Sequence, residues 1–134
     1  MRTGDLHGPT SGMAPGHVQA NLVVLPMEQA FDFLLFCQRN PKPCPLLEVV
    51  EAGSTEPRRM APDADLRMDL PGYRVFEHGE LVEEPTNISH VWRDDMVAFL
   101  LGCSFTFESA LIKGGIRLPH FEQGKNTAMF VTSI

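Results

Sequence analysis

The stretch Trp92-Arg-Asp-Asp-Met-Val-Ala-Phe-Leu-Leu-Gly-Cys-Ser-Phe-Thr-Phe-Glu108 decides how this chain is read, because an apolar run, a glycine and three reactive side chains follow one another within it. Trp92, Met96, Phe99 and Leu100 fall at helical spacing, which predicts an amphipathic helix over 89–101 with those four residues in the core. Gly102 then supplies the permissive backbone that a helix C-terminus favours. Ser104 stands where a second helix over 105–113 would take a side-chain cap, and Gly114-Gly115 stops that helix. A thiol, a hydroxyl and a carboxylate, those of Cys103, Ser104 and Glu108, are thereby expected at one junction. Free N–H groups at a helix start attract carboxylates.

On the N-terminal side, residues 7–17 hold three glycines and two prolines, so they predict a shaped loop. The β-branched, mostly apolar run 18–25 predicts a buried strand closed by Pro26. Residues 27–40 are apolar almost all round a helical projection, which predicts a largely buried helix ended by Asn40-Pro41-Lys42-Pro43. A second strand is expected over 46–50, and the polar, proline-containing 52–70 as a long surface excursion. Residues 73–76 and 80–83 predict a hairpin about His78-Gly79. Beyond the helices, 116–120 and 128–132 are expected as closing strands joined by a turn over 122–126. This order predicts an α/β chain, a mixed sheet with flanking helices plus a smaller α+β portion. The expected division is a core segment 1–52, a subdomain 53–124 with the hairpin and two helices, and a return strand 125–134.

Length and charge narrow the function. The 134 residues are 43% hydrophobic, enough for one domain with its own core. A net charge of −6 gives no basic face for nucleic acid. No apolar run approaches the roughly 20 residues that span a bilayer, and the first residues lack a signal-peptide hydrophobic region, so no membrane partner is expected. Cys37, Cys44 and Cys103 form neither an even disulfide set nor a CxxC pair, which suits a reducing compartment. An intracellular location is expected, and Asn87-Ile-Ser89 reads as a cap rather than a glycan site.

Four segments resemble one family: Gly8-Pro-Thr-Ser-Gly-Met-Ala-Pro-Gly-His-Val-Gln-Ala-Asn21, Cys37-Gln-Arg-Asn-Pro-Lys-Pro-Cys-Pro-Leu-Leu-Glu48, Trp92-Arg-Asp-Asp95 with Gly102-Cys-Ser-Phe-Thr-Phe-Glu108, and 126–132. Together they resemble the D-glutamate cyclase family, also described as hydro-lyases. The resemblance implies reversible dehydration of D-glutamate to 5-oxo-D-proline on an α/β scaffold. Members are longer than this chain, so the resemblance covers the N-terminal half or so.

Closing glutamate on itself requires a site that holds both ends together and moves protons. Glu108 is the first candidate for proton transfer, against a plain role of offsetting the helix dipole. Cys103 is a candidate nucleophile that would form a thioester, against the commoner fate of a buried small apolar residue. Ser104 is a cap, a substrate-binding group, or both. Thr10 and Ser11, on the glycine-rich loop, are expected to help cradle a carboxylate. Gln19 and Asn21 alternate with apolar residues and should aim two amides to one side of a strand. Arg39 can clamp a carboxylate with two parallel hydrogen bonds, and Asn40 and Asn126 complete the expected binding set. Arg93, Asp94 and Asp95 read as a solvated face, with either aspartate able to orient a catalytic partner. The five histidines are scattered without ligand spacing, so no metal and no cofactor is expected. The expected partner is a small acidic amino acid, with a homo-oligomer also expected to be possible. Two other readings stay open: a non-catalytic carboxylate-binding module, and a hydratase for another small amino or hydroxy acid.

Overall fold

A computed structural model describes residues 6, 8, 10, 13–14 and 16–125. Among them the elements run β1 (Ala20–Pro26), α1 (Met27–Arg39), β2 (Leu46–Val50), β3 (Val75–Glu77), β4 (Glu80–Glu83), β5 (Met96–Gly102), α2 (Phe105–Lys113) and α3 (Pro119–Glu122). The chain is mixed α and β, as its pattern predicts, and both of its sheets are antiparallel. By contact it divides into two units, one holding Ala20–Gly102, the other the described residues of 10–19 and 103–134. Composition places boundaries at 52/53 and 124/125, whereas contact places them at 19/20 and 102/103.

The first unit is built around β5, and here the sequence expectation is corrected. Residues 96–102 are a strand, not the end of a helix over 89–101, and they lie at the centre of the sheet β1-β5-β2. Four consecutive residues, Val97 to Leu100, are buried. A strand buries consecutive residues only when both faces of its sheet are covered. Ala98 and Leu100 point into one cluster with Val50, Leu66, Met60 and Trp92. Val97 and Phe99 point into the other, with Ala30, Phe33 and Leu34 of α1. Gly102 is correspondingly not a helix cap. It ends β5 beside Pro45, whose carbonyl accepts the Gly102 N–H at 2.8 Å, and a Cβ there would stand 3.2 Å from the Pro45 ring.

Helix α1 covers the second face through Ala30, Phe33 and Leu34, and the buried Cys37 continues the same i, i+3, i+4, i+7 stripe along the helix. Phe33 meets Phe99 edge to face, ring centres 4.9 Å apart, a geometry worth about 0.5–1.5 kcal/mol beyond area burial. The largely buried helix expected from composition is not what forms. Met27, Phe31 and Phe36 lie on its outer side, 53%, 64% and 51% exposed.

The first face is covered by 52–70, which is more than the surface excursion its polarity suggests. Pro57 and Leu66 are buried within it. Glu48, itself buried on β2, explains how a polar loop is held there: its two carboxylate oxygens accept the N–H groups of Arg59 at 3.0 Å and Met60 at 2.8 Å. Those donors open a turn closed by the Ala61 N–H on the Pro57 carbonyl, so Glu48 acts as a cap supplied by a distant strand. Farther along, Asp65 and Arg67 pair at 2.7 Å, and the guanidinium holds the Asp65 carboxyl below the usual carboxylate range.

The β3–β4 hairpin forms as predicted, with Glu77 opposite Glu80 and positive φ at His78 (52°) and Gly79 (87°). That pair of left-handed residues is the two-residue turn whose twist suits a hairpin. Asn87 does cap, but a turn rather than a helix: its side-chain oxygen accepts the Ser89 N–H at 2.8 Å. In the second unit, the strand expected over 116–120 is instead an irregular approach to α3, which starts at Pro119. Proline suits the first helical position and cannot donate to a sheet ladder. The closing strand expected over 128–132 lies outside the described residues, and no described helix is long and apolar enough to cross a membrane.

Candidate functional site

The second unit gathers most of the expected chemistry at the start of α2. Gln19 is its hub, since its carbonyl accepts the Cys103 N–H at 3.2 Å, its own N–H donates to the Thr106 hydroxyl at 3.0 Å, and its side-chain amide donates to the Thr10 hydroxyl at 3.1 Å. Four groups are thus tied together across a wide gap in sequence. Gln19 was expected within a strand beside Asn21; instead it precedes β1, and its amide is held by its own chain. Asn21 is exposed on β1, so the expected buried pair of amides does not form.

Ser104 occupies the N-cap position of α2 but makes no side-chain cap hydrogen bond. Its backbone, φ −61° and ψ −22°, is already helical, whereas a capping hydroxyl is presented from the extended region. Cys103 is half-buried and free. Cys37, which the sequence left without a role, is buried on α1, and that burial, with Cys44 nearby, pushes its thiol up.

Glu108 lies on the first turn of α2, its side chain 18% exposed. Its Oε1 is 2.8 Å from Nε2 of His120, whose side chain is 22% exposed. The partial shielding of this carboxylate and imidazole strengthens the hydrogen bond between them. The imidazole is carried by α3, braced by the Arg117 guanidinium forked onto the Glu122 carboxylate at 2.9 and 2.8 Å and by the Lys125 N–H on the His120 carbonyl at 2.8 Å. The sequence reading missed His120 and Thr106. Leu118-Pro119 was the usable signal, because proline at a helix start would have placed residue 120 on a first turn rather than in a strand.

The remaining expected residues stand apart from this cluster in kind or in description. Arg39 is exposed on the last turn of α1. Asn40 is committed to that helix end, its amide donating to the Phe36 carbonyl at 2.8 Å. Arg93 forks onto Asp95 at 2.9 and 3.3 Å at the surface, ahead of β5 and not on a helix face. Ser11 and Asn126 lie outside the described residues. Among the described residues no group of three or more His, Cys, Asp or Glu is placed to hold a metal ion.

The D-glutamate cyclase family matches residues 97–134, from β5 through the segment that carries Cys103, Glu108 and His120. Over its whole length the chain is similar to curated proteins bearing the name "Putative hydro-lyase". One from Rubrobacter xylanophilus is 63% identical over 133 residues, 99% of this chain and 51% of that protein. The resemblance to the D-glutamate cyclase family holds. A Bacillus subtilis protein is 57% identical over 134 residues, 100% of this chain and 52% of its own length, and one from Streptomyces avermitilis is 62% identical over 127 residues, 94% and 46%. The chain therefore spans about half the length of the curated hydro-lyase relatives it matches.

Proposed function

We propose that the polypeptide carrying this chain is a carbon–oxygen lyase, a hydro-lyase that interconverts D-glutamate and 5-oxo-D-proline. One observation carries the reading: the segment matched by the D-glutamate cyclase family is also the segment that delivers a half-buried carboxylate onto an imidazole. The names of relatives at 57–63% identity support the reaction class, and the family's description supports the substrate. The unpaired state of all three cysteines supports an intracellular location.

Cyclisation joins the amine of glutamate to its own side-chain carboxyl and expels water. Holding the two ends in contact removes an entropic barrier, and a positioned acid or base contributes about 10²–10⁴-fold. Glu108 belongs to the proton-transfer machinery in this reading. Thr10, whose hydroxyl accepts from Gln19 and can still donate, and Ser104, whose hydroxyl caps no helix, are the groups for a substrate carboxylate. Two routes share these requirements. The amine attacks the carboxyl directly, or Cys103 first forms a thioester that the amine then opens.

The test is incubation of the complete polypeptide with D-glutamate and, separately, with 5-oxo-D-proline, followed by nuclear magnetic resonance. Each compound is expected to give the other, and no turnover in either direction defeats the assignment. Affinity for both compounds without turnover would instead identify a carboxylate-binding module. Loss of turnover in Cys103→Ala, with folding intact, would mark the thioester route, and survival excludes it.

A further inference from the structure

We infer that the outer row of α1, Met27, Phe31 and Leu35, is an internal contact of the longer polypeptide, covered by the half of it that this chain does not include. The sequence of the helix points there first. Eight of the 13 residues from Met27 to Arg39 are apolar, and the three charged ones, Glu28, Asp32 and Arg39, project onto one narrow strip. A helix covered on one side needs an apolar stripe on that side alone, and Ala30, Phe33, Leu34 and Cys37 already provide it. Met27, Phe31 and Leu35 stand beside that stripe at i, i+4 and i+8, a second apolar ridge along the helix. Met27 is 53% exposed and Phe31 64%, while Leu35 is half-buried. Phe36 stands off this row, its ring stacked on Phe33 with centres 6.3 Å apart.

Size and length decide the occupant. A 13-residue helix is about 20 Å long, so one row of side chains on it covers on the order of 300 Å². Each partner in a lasting contact between two proteins contributes roughly 800 Å². A second copy of this chain therefore gains too little here to outweigh the freedom lost on association, and an open row supports only weak, concentration-driven contact. A segment of the same polypeptide meets the row at high effective concentration and holds with far less surface. Such a segment is at hand, because the chain spans 51% of the Rubrobacter xylanophilus protein and 52% of the Bacillus subtilis one, which leaves about as much chain again in each. The row also specifies what it takes: an apolar surface with no charge at its centre, whose side chains seat in the grooves beside an i, i+4 ridge.

The experiment is hydroxyl-radical footprinting of the complete polypeptide over a dilution series, read by mass spectrometry, with a synthetic peptide of residues 20–39 as the unprotected reference. Met27 and Phe31 are expected to react at least about tenfold more slowly than in the peptide, the protection of a surface uncovered less than a tenth of the time. That protection should be the same at every dilution. Reaction within a few-fold of the peptide, as half-exposed side chains give, overturns the inference. Protection that fades on dilution overturns it too, in favour of a second copy. Phe31→Glu in the complete polypeptide gives a second readout: a charge forced into a covered row should lower Tm by about 5 °C or more, whereas Phe31→Leu should keep most of the stability. A Phe31→Glu Tm within about 2 °C of wild type is that of an open site and overturns the inference as well. Should Phe31→Glu fail to fold, the footprint of the unaltered protein decides by itself.

Discussion

Tyr73 shows what a single side chain contributes to holding 66–73 together. Its hydroxyl donates to the Leu66 carbonyl at 2.8 Å and accepts the Leu70 N–H at 3.3 Å. Burial pushes its pKa up to about 12 from 10.0, with the charges of Asp65 and Asp69 adding to the rise and the Leu70 N–H opposing it. Between those two values the unfolded chain has lost the phenolic proton and the folded chain has kept it. The unfolded state then binds fewer protons, so stability falls as pH rises. The contribution is fully present below 10.0 and is lost as pH climbs through about 12. Tyr73→Phe is expected to cost roughly 1 kcal/mol at neutral pH, the size of one hydrogen bond, and to flatten this alkaline decline in urea denaturation. An equal decline in both proteins would refute the account. Tyr73 is the chain's one tyrosine, so ultraviolet difference titration follows it directly. At this scale the sequence was only half legible. Glu108 was visible from its place on a helix, but its partner lies twelve residues on, in a segment whose proline was read as part of a strand.

Elements were legible wherever a local rule decided them. The hairpin was, because His78-Gly79 can take two left-handed residues in succession and few other pairs do so cheaply. Helix α1 was, because its apolar stripe recurs at helical spacing and Pro41 ends it. Strand β5 was not, because a strand covered on both faces loses the alternation that identifies strands, and its apolar run then matches a buried helix equally well. What decides between them is the material that covers each face, α1 on one side and 52–70 on the other, and neither is a property of residues 96–102 alone. Phe99, 1% exposed and against Phe33, is where that double coverage is tested. Phe99→Ala should cost about 3–5 kcal/mol, combining lost transfer energy with the cavity left behind. Phe99→Leu should cost markedly less. A loss under about 1 kcal/mol for the alanine variant, measured by denaturant unfolding, would be the cost of an exposed site, not of a central strand.

For the molecule as a whole, the outer side of α1 sets the solution behaviour. Met27, Phe31 and Phe36 present a run of exposed apolar surface on one helix, while the curated relatives carry about as much chain again beyond what this one matches. Apolar surface of this kind drives association, and the net charge of −6 opposes it through repulsion between copies. The balance is adjustable with salt, because the Debye length falls from about 10 Å at 0.1 M to about 3 Å at 1 M and repulsion is screened while apolar attraction is not. The 134-residue chain alone is therefore expected to self-associate, and more strongly as salt is raised. Phe31→Glu should weaken that association by exchanging an exposed ring for a charge. Its cost to folding should stay within about 0.5 kcal/mol, since Phe31 supports no buried contact in either core cluster. Sedimentation equilibrium across a concentration series checks both statements. A wild-type chain that stays monomeric at high salt, or a Phe31→Glu variant that associates as strongly as wild type, would remove this helix face as the cause.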